Sequence, residues 1–141
     1  YYLARDYEKA VATLAPLVKA SPDDGRLLTV YGDSLLQLQR GDEALPILER
    51  AVARSQDEAL PRLTLGRALV QKGEFARAIP LIEPQLAQDH DGSLHVQLAR
   101  AYNGLGQKDR AAALLERSQE LQRAAQERTD AAAERTISPP K

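Results

Sequence analysis

The sequence predicts an all-α solenoid, and three observations favour this architecture over a fold that contains a sheet. Small and large apolar residues recur along the chain with a fixed period of about 34 residues, which is typical of a helical repeat. Ala and Leu supply most of the apolar surface, whereas aromatic residues make up only 4% of the sequence, and this composition favours helices over strands. Within each repeat the strongest apolar positions are four residues apart, which places them on one stripe of a helix.

The repeat is defined by three columns of residues. Four alanines follow one another at nearly equal steps: Ala10, Ala44, Ala78 and Ala111. Large residues follow four positions later in each unit: Leu14, Leu48, Ile82 and Leu115. A third column holds small residues, each followed three positions later by a large one: Gly32, Gly66 and Ala99. A single helix pair cannot bury its own apolar face, so the pattern predicts about three and a half stacked pairs.

The first unit is predicted to be truncated. Residues 1–5, YYLAR, are expected to form the last turn of a first helix, with a second helix following. Val11, Leu14 and Val18 on that second helix should then lack most of their packing partner, so a segment upstream should cover them. The sequence has no initiator Met, and we expect residue 1 to be a cut point inside a longer polypeptide.

Two prolines fall where the second helix of the third unit should continue. Pro80 and Pro84 each remove one backbone hydrogen bond, so the sequence predicts a bent helix that wraps the outer curve of the array. The alternative is that the two prolines are neutral sequence changes that an outer surface tolerates. Pro46, which precedes Pro80 by one repeat, should lie in or just beyond the first turn of a helix that begins near Asp42.

The C-terminal region divides the chain into three predicted parts. Residues 1–118 are expected to form the repeat array, 119–136 to extend the last helix as a cap, and 137–141 to form a flexible tail because of their proline pair. Leu114, Leu115 and Leu121 are expected to pack, with only alanines on the apolar side beyond them. Two weak alanine heptads in this extension are too few to establish a coiled coil.

Composition excludes several classes of function. With 19 basic and 20 acidic residues the net charge is -1, so no global field attracts nucleic acid, and RNA binding by helical repeats ranks last. No apolar run approaches the roughly 20 residues that a membrane span needs. The absence of cysteine excludes disulfides and thiolate zinc sites but leaves the compartment open.

The sequence offers no catalytic, cofactor or metal site. The segment NGLGQK lacks the third glycine and the Lys-Ser/Thr pair of a phosphate loop. His90 and His95 lie among aspartates, but a spacing of five does not place both rings on one helix face. The repeat register instead assigns His95 to a packing position between helices and His90 to a connecting loop.

The unit resembles a tetratricopeptide repeat over about residues 1 to 118. The third unit carries the resemblance best, with Gly66, Leu69, Gly73, Phe75 and Ala78 in the signature positions. The signature Trp position departs from the family, since it holds Leu28, Arg62 and His95 in successive units. The resemblance implies helix-turn-helix units whose first helices line a concave groove, where an extended peptide or a partner helix binds.

Carried onto this sequence, the resemblance assigns six residues to peptide binding: Asp33, Gln37, Arg67, Gln71, Arg100 and Asn103. It also places six others along the groove: Thr29, Leu36, Leu63, Val70, Val96 and Gly104. Arg67 and Arg100 would be stacked neighbours that bind carboxylates, unless they are ordinary surface residues paired with nearby acids. The family's Lys and Asn clamp for a C-terminal carboxylate is missing, which favours an internal acidic or amphipathic ligand.

These observations favour a protein-interaction module without enzymatic activity, bound to another protein or peptide. The rival hypothesis is a structural or oligomerisation element that self-associates through the truncated first unit or the Ala-rich C-terminal helix.

Overall fold

The chain forms a succession of helices with brief connections. The computed structural model describes the backbone of residues 2–137 and the side chains of residues 4–137, and this range contains no strand. Its elements are α1 (Tyr2–Ala20), α2 (Gly25–Gln37), α3 (Gly41–Arg54), α4 (Ala59–Lys72), α5 (Phe75–Ile82), a 3-10 helix (Glu83–Gln88), α6 (Ser93–Gly104) and α7 (Lys108–Ile137). The predicted all-α class is confirmed.

The helices form an inner and an outer layer. Each α-helix packs against the next one in sequence, and α2, α4 and α6 also contact one another in succession. Neighbouring outer helices, α1, α3, α5 and α7, make no comparable contact over the described residues. The backbones of the inner helices approach each other more closely than those of the outer helices, of which α3 and α5 meet through the Arg77 and Glu49 side chains, so the array curves with α2, α4 and α6 on its concave side. The predicted α-solenoid with a long C-terminal helix is confirmed.

The small and large columns of the repeat form the interface inside each helix pair. A Cβ atom added to Gly32 would lie 2.5 Å from Leu48 Cδ2, and one added to Gly66 would lie 2.8 Å from Ile82 Cγ1. The large residues therefore rest directly on the backbone of the preceding helix, and both are fully buried. Leu115, which follows them in the column, is 39% exposed. Its expected packing is wrong, because no further helix among the described residues covers this side of α7.

The N-terminal region differs from the sequence prediction. Residues 2–5 do not end a separate helix, because α1 runs without a break from Tyr2 to Ala20. Val11 and Val18 are buried against the neighbouring helices, and Leu14 is half-buried. The expectation that these residues lack most of their partner is therefore wrong for both valines. Leu17 on the same helix is 49% exposed.

The helix type changes close to the two prolines, which the sequence did not predict. The α-helix α5 ends at Ile82 after eight residues, and the chain continues as the 3-10 helix. Pro84 occupies the second position of that helix, where its missing N–H has no intrahelical partner to lose. By contrast α3 continues past Pro46 to Arg54 without interruption.

The repeated Asp-Gly pair starts an inner helix in two units. Asp24 caps α2 by accepting a hydrogen bond from the Leu27 backbone N–H at 3.1 Å. Asp91 Oδ1 accepts from the Ser93 N–H at 3.0 Å, and Gly92 adopts a left-handed φ of 83° before α6. At the other end of the chain, α7 continues through Ile137, while residues 138–141 of the predicted tail lie outside the described residues.

Candidate functional site

The concave side carries one predicted ligand-binding residue at the same position of each inner helix. Asp33 lies on α2, Arg67 on α4 and Arg100 on α6. Arg67 Nη2 donates a hydrogen bond to Asp33 Oδ1 at 3.0 Å, and about one third of each side chain is exposed. Arg67 is therefore already paired with an acid, as the alternative interpretation of the sequence held. The structure brings these two predicted site residues together.

Arg100 differs from Arg67 in its side-chain contacts. Its side chain is exposed and makes no ion pair or hydrogen bond within the part of the chain that the structure describes. The remaining predicted residues, Gln37, Gln71 and Asn103, are exposed near the C-terminal ends of the three inner helices. Gln71 lies beside the turn between α2 and α3, which directly follows Gln37. Arg100 is thus the predicted cation that stays available to a ligand.

Three residues assigned to the groove belong to the core instead. Leu36 is 1% exposed and Val70 is 6% exposed, so neither offers a surface to a ligand. Thr29 is also buried, and its hydroxyl donates to the Gly25 carbonyl at 2.7 Å. These side chains therefore pack within the array and are not available on the concave face.

A cleft that sequence reasoning did not identify lies between α4 and α6. Its volume is about 230 Å³. It is lined by Leu60, Leu63, Thr64, Arg67, Ile82, Ser93, Leu94 and Gln97. Leu63 is a predicted groove residue, but Leu60, Leu94 and Gln97 were missed. The repeat could have identified some of the cleft residues. Leu60 and Ser93 occupy equivalent positions near the start of the successive inner helices α4 and α6.

The polar groups of the cleft differ in whether the protein satisfies them. The Thr64 hydroxyl donates to the Leu60 carbonyl at 2.8 Å, and Arg67 binds Asp33. Gln97 Oε1 is buried without a hydrogen-bond partner among the described residues. A buried carbonyl oxygen that lacks a donor is unfavourable, and rotation of the Gln97 side chain toward the cleft would let this oxygen accept a hydrogen bond.

Several charged groups lie along the inner helices. Carboxylates lie at their N-terminal ends, where Glu58 pairs with Arg26 at 3.6 Å and Asp91 binds Ser93. Hydrogen bonds from the Ser93 backbone N–H and hydroxyl lower the pKa of Asp91 below its ordinary value of 3.8, so this group is anionic at neutral pH. Arg100 lies about two turns further along α6 than Ser93, given 3.6 residues per turn.

The Asp89 and His95 pair is structural. His95 Nδ1 lies 2.6 Å from Asp89 Oδ2, which also accepts the His95 backbone N–H at 3.0 Å. Both residues are buried, which confirms that His95 occupies a packing position, and His90 is exposed in the loop. Over the described range, no group of three or more His, Asp or Glu side chains could hold a metal ion. No helix in that range is long and apolar enough to cross a membrane.

Comparison with known sequences identifies relatives over most of the chain. Three family models, each described as a tetratricopeptide repeat, match residues 1–59, 35–96 and 92–124. Lipopolysaccharide assembly protein B of Escherichia coli K12 is 28% identical over 95% of this chain, and cell division cycle protein 27 homolog A of Arabidopsis thaliana is 29% identical over 64%. The chain spans 35% and 13% of the length of these two relatives, respectively.

Solved structures share the same architecture. MamA AMB-1 superposes with a TM-score of 0.72 at 25% identity, covering 83% of this chain and 70% of its own. YrrB, described as a TPR protein with an unusual peptide-binding site, superposes with a TM-score of 0.73 at 22% identity, covering 86% of this chain and 63% of its own. Folds of this kind are typically non-catalytic scaffolds for protein interaction. The three family matches, the repeated columns and the helical architecture agree, and the chain belongs to the tetratricopeptide repeat family.

Proposed function

We propose that the concave face formed by α2, α4 and α6 binds an extended peptide or a partner helix of acidic or amphipathic character. The observation that carries this proposal is an exposed and unpaired Arg100 on the same face as the apolar cleft between α4 and α6, over the described residues. A guanidinium binds a carboxylate through two parallel hydrogen bonds, which gives both affinity and orientation. The molecule acts by binding and needs neither a cofactor nor a catalytic group.

The other predicted residues support the same role. Gln71 and Asn103 are exposed amides on α4 and α6, and each can donate to and accept from a peptide backbone. Arg67 keeps donors beyond the one that binds Asp33, since a guanidinium carries five. Gln37 completes the row of exposed amides along α2, α4 and α6.

The test is capture of partners by the chain and two charge-reversal variants. Arg100→Glu should lose the captured partner, because a carboxylate at this position repels an acidic ligand. Arg123→Glu is the matched control, since Arg123 is an exposed arginine on the outer helix α7. Quantitative mass spectrometry of proteins captured from a lysate of the source organism measures the difference. Equal capture by Arg100→Glu and the wild-type chain, at equal melting temperature, would refute the proposal.

A second candidate function is self-association through the N-terminal end of the array. Leu17 on α1 is 49% exposed and Val30 on α2 is 52% exposed. Their equivalents one repeat later, Ala51 and Thr64, are 0% and 1% exposed. This end therefore presents an apolar face that interior units bury, and a second copy of the chain could cover it. Light scattering over a range of concentrations tests this candidate, and replacement of both residues by Gln should abolish any dimer.

A further inference from the structure

We propose that the cleft between α4 and α6 is a side-chain pocket that selects a bulky apolar residue of an extended peptide, with a carboxylate two residues away that binds Arg100. This inference rests on the proposed function and names the ligand feature that the concave face recognises. It adds Leu60, Leu94 and Gln97 to the binding residues.

The size and lining of the cleft suit one side chain. Its volume of about 230 Å³ is below the range of about 300–1,000 Å³ that is usual for small-molecule pockets. Three leucines line the cleft. One of them, Leu60, is 63% exposed, so a ligand side chain in the cleft can cover it. Covering apolar surface that water now contacts favours binding, so an aliphatic or aromatic side chain is the expected occupant.

Gln97 supplies the polar contact that an extended peptide needs. Gln97 lines the cleft, and its Oε1 atom is buried without a donor among the described residues, so turning the side-chain amide toward the cleft would expose this acceptor to a peptide. A peptide backbone offers an N–H and a C=O at each residue, and a side-chain amide can pair with both. The equivalent positions on α2 and α4 hold Val30 and Thr64, neither of which carries an amide. The array thus places this amide beside this cleft and not at the equivalent positions of the two earlier units.

The distance to Arg100 sets the spacing of the ligand motif. Ser93 and Gln97 bracket the cleft along α6, so its middle lies about five residues, or about 7.5 Å of helix rise, before Arg100. Residues i and i+2 of an extended chain are about 6.6 Å apart and point to the same side. The apolar residue and the carboxylate should therefore be two positions apart.

Charge sets the direction in which the carboxylate lies. Asp91 binds the N–H of Ser93 at the start of α6, so an acidic ligand group is repelled from that end. Arg67 lines the cleft but pairs with Asp33, whereas Arg100 lies further along α6 and makes no ion pair within the described range. The carboxylate is expected on the Arg100 side of the apolar residue.

The probe is an array of ten-residue peptides with a Gly and Ser background. Each peptide carries Leu, Phe or Ala at one position and Asp, Asn or Lys at a distance of one to four residues. Fluorescence polarisation with the wild-type chain should show the tightest binding for Leu or Phe with Asp two positions away. Replacing the apolar residue by Ala, or Asp by Lys, should weaken binding at least tenfold.

Variants of the chain separate the pocket from the rest of the groove. Leu60→Gln and Gln97→Leu should each weaken binding of the best peptide at least fivefold, while Leu115→Gln, an exposed leucine on α7, should leave it unchanged. Melting temperatures report whether each variant is folded. If Arg100→Glu abolishes binding but both cleft variants bind like the wild type, the pocket is refuted and the proposed function stands. If no peptide binds, the pocket is also refuted, and the proposed function then depends on partner capture alone.

Discussion

Arg67 on α4 donates a hydrogen bond to Asp33 on α2 at 3.0 Å, and the two residues occupy equivalent positions in successive repeats. The same position in the next unit holds Arg100. The column therefore reads acid, base, base along the inner layer. The first two charges neutralise each other, and the third makes no ion pair within the described range, which is why we propose that it binds the ligand.

The ion pair should stabilise the stack only weakly. Its side chains are 35% and 36% exposed, and pairs of this kind contribute about 0.2–1 kcal/mol. Arg67→Glu places two carboxylates together, so we expect it to lower the free energy of unfolding by about 1 kcal/mol. The exchanged pair Asp33→Arg with Arg67→Glu should recover most of this loss. Urea unfolding of the two single variants and the double variant measures the coupling, and strict additivity would contradict the pairing.

Gly92→Ala should be among the most destabilising glycine substitutions in the array, because Gly92 is buried against α7. A Cβ atom at Gly92 would lie 2.6 Å from the Ser118 carbonyl oxygen, and the residue has a φ of 83°. Gly106 has a similar φ of 79° but open space around the added atom. Gly106→Ala should therefore cost about 1–2 kcal/mol of backbone strain. Gly92→Ala should cost about 2 kcal/mol more because the added methyl group would also overlap the Ser118 backbone on α7. Equal melting temperatures for the two variants would show that the contact is unimportant.

Loss of Asp89 should destabilise the fourth unit. Asp89→Ala removes the acceptor of two hydrogen bonds from His95, one from its ring and one from its backbone. Both residues are buried, so the expected loss is about 2–3 kcal/mol in unfolding free energy. His90→Ala, in the neighbouring exposed position, should change stability by less than about 0.5 kcal/mol. Chemical denaturation compares the two, and a small effect of Asp89→Ala would contradict the structural role assigned to this pair.

Asp91 should contribute stability that depends on pH. Its pKa in the folded chain is lowered by hydrogen bonds from Ser93, so the folded state binds fewer protons than the unfolded state near pH 3. The contribution is therefore fully present above the ordinary value of 3.8 and is lost as pH falls through the lower folded pKa. The stability difference between the wild type and Asp91→Ala should shrink from pH 5 to pH 2. A difference that does not change over this range would exclude the assigned hydrogen bonds.

Pro84 should determine where the α-helix α5 ends. Replacing both Pro80 and Pro84 by Ala restores the missing N–H groups, so the 3-10 helix Glu83–Gln88 should become α-helical. Circular dichroism should then show a gain of up to about six helical residues. Pro46→Ala should leave the helical content unchanged, because α3 already continues past that proline. An unchanged spectrum for the double variant would mean that packing, and not proline, sets the 3-10 segment.

The repeat columns allowed the fold to be predicted because periodicity fixes which positions meet inside each helix pair. Gly32 under Leu48 and Gly66 under Ile82 are direct consequences of that periodicity. The sequence did not show that α1 is continuous from Tyr2, because the resemblance placed a helix boundary in a segment that contains no breaking residue. The sequence also predicted a bent helix at Pro80 and Pro84. It did not predict the change to 3-10 geometry, because that change depends on local hydrogen bonding.

Site residues were harder to predict than core residues. Leu36 and Val70 were assigned to the groove but are buried, because small rotations of a helix decide between the concave face and the core. The pairing of Arg67 with Asp33 depends on the distance between α2 and α4, which the spacing in sequence does not contain. The cleft at Leu60 and Gln97 arises from two helices in different units, so no single stretch of sequence identifies it.

The most direct test of the central claim is to locate a captured partner on the surface of the array. The sequence contains no cysteine, so single cysteines can carry a benzophenone cross-linker without background. Asn103→Cys places the label on the inner helix α6, and Glu116→Cys places it on the outer helix α7. Our account predicts cross-links from position 103 and none from position 116. Cross-links from position 116 alone would contradict binding at the concave face.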